Sequence, residues 1–258
     1  MEHARVRLQR LGSHWMVEID NQSRRNAFTW DMYEDLRQIC IEAQADPDLR
    51  VMVIRGAGGR AFAAGTDINQ FTEFTGLDGV SYEHTVGAIL NQLLDIRVPV
   101  LALVDGPAVG AGLAVAACCD IVIATPDAKF GAPIARTLGN CLPPQVIARL
   151  QSRLGASRTM AMLLASTLIS AEEAQAGGLV HRVVEREESD DVLRELTDRI
   201  AAGAPLTLAG LKEIDRRLNR SRAEVFADDV LESCYGSADF GEGVQAFLDK
   251  RRPVWRGV

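Results

Sequence analysis

An α/β protein with largely parallel strands, closed by a helical C-terminal module, is the fold class that the sequence predicts. Three observations carry the expectation. Apolar runs ending in glycine recur at 51–59 and 98–106, the pattern of strands buried on both faces that empty into tight turns. The segments around them repeat their apolar residues every three to four positions, the period of a helix. From about residue 187 onward the strand pattern stops and only helical periodicity continues. Helices alternating with buried strands are the mark of parallel α/β layering.

The elements follow in order. Trp15, Val17 and Ile19 alternate with Met16, Glu18 and Asp20, a half-buried strand, before a polar turn opens at Asn21. Met32, Leu36, Ile39 and Ala43 share one helical face, and Asp46-Pro47 stops that helix. VMVIRGAGG is a buried strand feeding a loop; Tyr82, Val86, Ile89, Leu90 and Leu93 then mark a helix, and VPVLALVDG repeats the strand-to-glycine pattern. Gly110 to Cys118 is small and apolar enough for a buried helix, with a further strand at IVIAT, 121–125. Three C-terminal helices are expected from Val192-Leu196-Ile200, Leu208-Leu211-Leu218 and Phe240-Val244-Phe247, and Ser221-x-x-Glu224 has the form of a capping box. The predicted division is an α/β body over 1–195 and a helical module over 196–258. Such a module cannot build a core of its own, so it is expected to bury its apolar face against a partner subunit.

With 258 residues, 47% of them hydrophobic and 24% charged, the chain can bury a large core. A formal charge of −7 argues against a nucleic-acid surface, which needs concentrated Lys and Arg. The N-terminus lacks the apolar core of a signal peptide, and no stretch reaches the roughly 18 apolar residues of a membrane span. No membrane partner and a cytoplasmic location are therefore expected. Cys40, Cys118, Cys119, Cys141 and Cys234 show no CxxC spacing, so free thiols and no metal site are expected.

Candidate chemistry lies in two small-residue turns, GRAFAAGTDI (59–68) and VDGPAVGAGLAVAACCD (104–120). Both offer bare backbone amides, and in the second Gly110-Ala111-Gly112 opens a helix, where free N–H groups and the helix dipole favour negative oxygen. Two such amides converging on a carbonyl oxygen form an oxyanion hole. The competing reading is that these glycines only permit close strand-helix packing.

NQSRRNAF (21–28), GRAFAAGTDI, VDGPAVGAGLAVAACCDIVIA, AKFGAP, LISAEEAQAGGLVHRVV (168–184) and EGVQAFLDKRRPVWRG, in that order and spacing, resemble the crotonase superfamily, the enoyl-CoA hydratase/isomerase family. The resemblance spans nearly the whole chain. It implies a crotonase-like spiral of ββα units, a helical trimerisation region, and a homotrimer or dimer of trimers. An acyl-CoA thioester is the implied substrate, with no other cofactor. The implied oxyanion donors are the backbone N–H groups of Thr66 and Ala111, the latter at a position that is commonly glycine. The implied CoA-binding residues are Arg24, Arg25, Ala64, Phe247 and Lys250, the last two near the nucleotide of a neighbouring subunit.

Hydratases of this family use two glutamates. The corresponding positions are Ala114 and Ile134, with Ala135 as the alternative if the loop is one residue longer, and no Asp or Glu occurs from Ala128 to Ala171. General acid/base work needs a titratable group within hydrogen-bond reach, so ordinary two-glutamate hydration and single-glutamate isomerisation are both disfavoured. Other side chains are weighed in their place. Asp67 follows the first donor and is either catalytic or structural; Asp120 is read as structural. His84 lies where some relatives place a base, or on a solvated helix face. In RTLGNCLPP, Arg136 and Asn140 are candidates for holding a polar acyl substituent, Arg136 because its fork suits a carboxylate, with a surface ion pair as its alternative. Cys141 is either a nucleophile, which needs a nearby base or cation, or an apolar filler.

Two rival functions stay open. One is a non-catalytic acyl-CoA-binding subunit, recognised by an acyl pocket with only apolar walls. The other is a nucleotide-binding α/β protein, against which stands the lack of a GxGxxG after the first strand or of a Walker GxxxxGK[ST].

Overall fold

The computed structural model describes residues 4–258. Its larger sheet has the order β1-β2-β3-β5-β7-β10, built from β1 (Arg5–Leu11), β2 (His14–Asp20), β3 (Val51–Gly56), β5 (Val100–Val104), β7 (Ile121–Ala124) and β10 (Arg182–Val183). β1 and β2 form an antiparallel hairpin, while every later pairing in this sheet is parallel. The expected parallel α/β body is therefore present. β1 is an addition to the expected elements. Only Val6 of this strand is buried, and Arg5, Arg7 and Arg10 break its apolar signal. Gly12, at φ +64°, closes the hairpin in a left-handed turn.

A second sheet, β4-β6-β8-β9, joins β4 (Ala63–Ala64), β6 (Ala108–Val109), β8 (Lys129–Gly131) and β9 (Ile169–Ser170). Strands this short carry no readable period. They nevertheless set the site, because the parallel register Ala63↔Ala108 and Ala64↔Val109 runs the two glycine turns side by side.

The helices of the body are α1 (Trp30–Ala45), α2 (Gly76–Asp95), α3 (Ala111–Cys118), α4 (Ile134–Thr137), α5 (Pro144–Leu154), α6 (Ala156–Leu164) and α7 (Ala171–Gly177). α1 buries the expected Met32, Leu36, Ile39 and Ala43. Thr75 and Asp78 form a reciprocal capping box at the start of α2, as Ser170 and Glu173 do for α7. The box expected at Ser221/Glu224 does not start a helix. Both residues fall at the end of α9 (Pro205–Ala223), where Glu224 is the C-cap.

The remaining helices are α8 (Ser189–Ala201), α10 (Asp228–Tyr235) and α11 (Ala238–Leu248). The expected division between 195 and 196 falls inside α8. Tyr235, Phe240 and Val244 join the same buried cluster as Phe28, Leu90 and Phe130 of the body, so α10 and α11 fold back onto it. Among the described residues no helix is long and apolar enough to cross a membrane.

Candidate active site

The turn after β2 is the first wall. Arg25 and Asn26 both sit at positive φ, 52° and 59°. Asn26, 1% exposed, holds the turn in this conformation: its Nδ2 donates to Ala57 O and Ala61 O, each at 2.9 Å, and its Oδ1 accepts from Asn21 N at 3.0 Å. Ala64 N donates to Arg25 O at 3.0 Å, which ties the Arg24-Arg25 turn to the first glycine turn. Phe28 N donates to Gly65 O and Asp67 N to Phe28 O, at 2.9 and 2.8 Å. This alternation passes over Thr66 N–H, which has no backbone acceptor among the described residues.

The second turn lies against the first. A Cβ on Gly110, at φ +57°, would stand 3.4 Å from Gly65 Cα, so neither turn tolerates much bulk at this crossing. Gly110 caps α3 and Ala111 is its first residue, leaving the Ala111 N–H without a partner one turn earlier. Gly112 is fixed by packing: a Cβ there would collide with the Ala63 carbonyl.

Thr66 is held from beneath by hydroxyls. Its Oγ1 lies 2.7 Å from Tyr33 Oη and 2.7 Å from Tyr82 Oη, all three residues being buried. Burial pushes the Tyr33 hydroxyl up to about 12, so the trio stays neutral.

Both turns open on a cavity of about 860 Å³. Arg24, Arg25, Ala64, Phe247 and Lys250 line it together with Thr66 and Ala111, as do Tyr82, Glu83, Val86, Leu90, Ala114, Ile134, Leu138, Asn140, Leu142 and Val146. The structure therefore brings all five expected CoA-binding positions to one opening. Phe247 and Lys250 reach it from α11 and the residues just after it.

An acid that the sequence reading did not single out, Glu83, also lines this cavity. It is 4% exposed on the buried face of α2. Tyr235 Oη donates to its Oε1. The residue lines the cavity, and among the described residues no hydrogen bond engages its Oε2. Burial raises the carboxyl to about 8, an effect the Tyr235 hydrogen bond tempers. The sequence held a signal for it. Glu83, Val86 and Leu90 are spaced i, i+3, i+7, so the acid sits within the apolar stripe of its own helix.

Several other candidates fall elsewhere. His84, the neighbour of Glu83, points outward and pairs with Asp228 at 2.9 Å, its side chain 61% exposed. One residue along a helix turns the side chain by about 100°, which separates the two. Arg136 is exposed on α4 and does not line the cavity. Cys141 lines an adjoining cleft with Ile147 and Val230 instead, and burial pushes its thiol up to about 11, away from thiolate. Asp67 does reach the cavity, but Arg24 Nη1 holds it at 2.6 Å and it accepts from Asn69 N at 3.2 Å. Asp120 accepts from Val100 N at 2.7 Å and pairs with Lys212 at 2.6 Å, joining β5 to α9. Asn140 lines the cavity and donates to Tyr235 Oη at 3.0 Å.

A large sheet, a small one that sets two glycine turns side by side, and terminal helices folded back over an apolar cavity define the crotonase class of α/β protein. The chain belongs to the enoyl-CoA hydratase/isomerase family, whose model matches residues 13–258. It is 35% identical over 243 residues to a carnitinyl-CoA dehydratase of Proteus mirabilis (strain HI4320), covering 90% of this chain and 91% of that one. Among solved structures it is similar to an enoyl-CoA hydratase/carnithine racemase from Magnetospirillum magneticum, with 31% identity and a TM-score of 0.80 over 100% of this chain and 97% of the other. A methylmalonyl-CoA decarboxylase in complex with 2-nitronate-propionyl-CoA superposes with a TM-score of 0.88 at 26% identity, over 98% of each chain.

Proposed function

We propose that this protein is an acyl-CoA-processing lyase that binds an acyl-CoA thioester in the cavity and uses Glu83 as its single proton-transfer group. The observation that carries the reading is a near-buried carboxyl, raised to about 8, in the wall of the cavity onto which Thr66 and Ala111 open. The thioester oxygen sits between the N–H groups of Thr66 and Ala111. Arg24, Arg25 and Lys250 at the opening supply cations for the CoA phosphates, and Phe247 supplies a face for the adenine. Val86, Leu90, Leu142 and Val146 line the acyl end, which suits an aliphatic chain.

The reaction this arrangement supports best is reversible loss of water from a 3-hydroxyacyl thioester. The Glu83 carboxylate takes the proton on the carbon next to the thioester, and the electron pair moves into the carbonyl as an enolate held by the two amides. The enolate collapses to a carbon–carbon double bond as the C3–O bond breaks. Glu83 returns its proton to the departing hydroxyl, giving water and a 2-enoyl thioester. One carboxyl serves as base and then as acid, and a value of about 8 suits both halves near neutral pH. Similarity to the Proteus mirabilis carnitinyl-CoA dehydratase supports a dehydration. The presence of Glu83 weighs against a purely binding subunit, which was to have an acyl pocket with only apolar walls.

Turnover of a panel of 3-hydroxyacyl- and 2-enoyl-CoA esters, with wild type beside Glu83→Gln, tests the proposal. The wild type should act on at least one ester and the variant should lose roughly 10²–10⁴-fold in kcat. A variant that keeps kcat and changes only KM would make Glu83 a binding group and sink the proposal.

A further inference from the structure

We infer that Tyr235 and Asn140 are positioning residues that hold Glu83 for proton transfer, so that the C-terminal helix α10 completes the site; the inference rests on the role proposed for Glu83. The three side chains form one directed chain. Asn140 Nδ2 donates to Tyr235 Oη at 3.0 Å, and Tyr235 Oη donates to Glu83 Oε1. The phenol's one proton is thereby committed to the carboxyl, and Oε1 is occupied. Oε2 is the oxygen without a hydrogen-bond partner among the described residues, on a side chain that lines the cavity. A carboxyl with one oxygen pinned presents the other in a fixed direction, and that is what a single acid/base group serving two steps requires.

The packing around Tyr235 shows why the chain of bonds is rigid. Gly79 lies one helical turn before Glu83, and a Cβ there would collide with the Tyr235 ring. A Cβ on Gly76 would stand 2.6 Å from Glu232 O, so α10 approaches α2 at a distance only glycine allows. The ring, 1% exposed, packs against Phe240 at 4.9 Å and Tyr82 at 6.3 Å between centroids. Asn140 comes from the loop between α4 and α5. Glu83 is thus gripped by a loop and a terminal helix far from it in sequence.

The titratable groups close enough to feel the charge of Glu83 are Tyr33 from α1, Tyr82 from its own helix, Tyr235 from α10 and Cys141 from the loop before α5. Burial raises all four above their ordinary values, so they are neutral in the range where Glu83 titrates. No cation among the described residues contacts Glu83. The donated bond from Tyr235 is therefore the specific interaction that favours the carboxylate, and burial, together with the charge of Glu83, keeps Tyr235 a donor and never a base.

Tyr235→Phe removes only the hydroxyl. The test follows the carbon-13 signal of the Glu83 carboxyl against pH in carboxyl-labelled protein, assigned by its loss in Glu83→Gln. A wild-type midpoint near 8 should move upward by about one pH unit in Tyr235→Phe. Asn140→Ala leaves the phenol in place and should give a smaller shift in the same direction, and it serves if the tyrosine variant does not fold. With an ester that turns over, the acid-side limb of kcat/KM, where protonation of Glu83 removes the base, should move upward by the same amount in Tyr235→Phe, with kcat lowered about tenfold or more and KM little changed. An unmoved midpoint in both variants overturns the inference, as does a loss confined to KM. Full activity of Glu83→Gln instead overturns the role given to Glu83, so the two failures are told apart.

Discussion

Replacing Glu83 by glutamine makes a prediction about stability that is independent of any substrate. The carboxyl rises from 4.5 to about 8 on folding because burial strips its water. Between those values the unfolded chain gives up the proton while the folded chain keeps it. The folded state binds more protons there, so its stability falls as pH rises. The stability is intact below about pH 4.5 and the loss is complete above about pH 8. At about 1.36 kcal/mol for each pH unit of displacement, the loss is at most about 5 kcal/mol. That is a large share of the roughly 5–15 kcal/mol by which a domain is stable. The amide side chain of Glu83→Gln has nearly the same shape, can accept from Tyr235, and does not titrate. Urea unfolding of both proteins at a series of pH values, at one protein concentration, gives the difference in which all other groups cancel. The variant should gain on the wild type by several kcal/mol between about pH 5 and pH 9. A flat difference, or one that saturates near pH 5, would mean that Glu83 is solvated as an ordinary carboxylate, and the reasoning from burial would fail.

Three further outcomes are expected. Ala111→Pro removes one of the two backbone donors at a first helical position, where proline is tolerated; kcat should fall by about 10²–10³-fold, while an unchanged melting temperature shows that α3 is intact, and full activity would remove Ala111 from the oxyanion hole. At the surface, His84→Ala should leave kcat/KM within about twofold, because an exposed pair with Asp228 contributes little. Lys250→Ala should instead raise KM for the CoA ester and weaken its dependence on salt, and equal salt dependence in both proteins would exclude Lys250 from the phosphate site.

The parts of the fold that the sequence shows are those buried on both faces. β3, β5 and β7 are near-continuous apolar runs, and α1 and α2 display their periods plainly. β1 is hidden because an edge strand with a wet face carries arginine or glutamine at four of its seven positions. β4 and β6 are two residues each, too short for any period. Only the glycines around them mark the place where the turns meet. Glu83 is hidden differently. The segments that carry the resemblance direct the search for acids to Ala114, Ile134 and Asp67, whereas α2 lies between those segments. Position 84 draws attention for its imidazole, and the neighbouring acid on the apolar stripe is easily passed over. What α10 does is not legible at all, since the approach of Tyr235 depends on Gly76 and Gly79 in a helix about 150 residues earlier, and no local pattern links the two.

The apolar residues at 114 and 134 and the acid at 83 belong to one arrangement. A pair of carboxylates in a shared site divides the labour, one ionised and one protonated, because like charges drive the two values apart. A single carboxyl has no such partner to set its protonation. It must lose a proton easily enough to act as base and hold one firmly enough to act as acid, which places the useful value near the working pH. Desolvation alone can bring an ordinary carboxyl that far, and the walls that desolvate this one include Val86 and Leu90, with Ala114 and Ile134 lining the same cavity. A glutamate at 114 or 134 would bring water and a second charge into that space. On the proposed mechanism, the loss of the customary acids is thus a condition for Glu83 to work alone, and the bond from Tyr235 limits how far burial carries it.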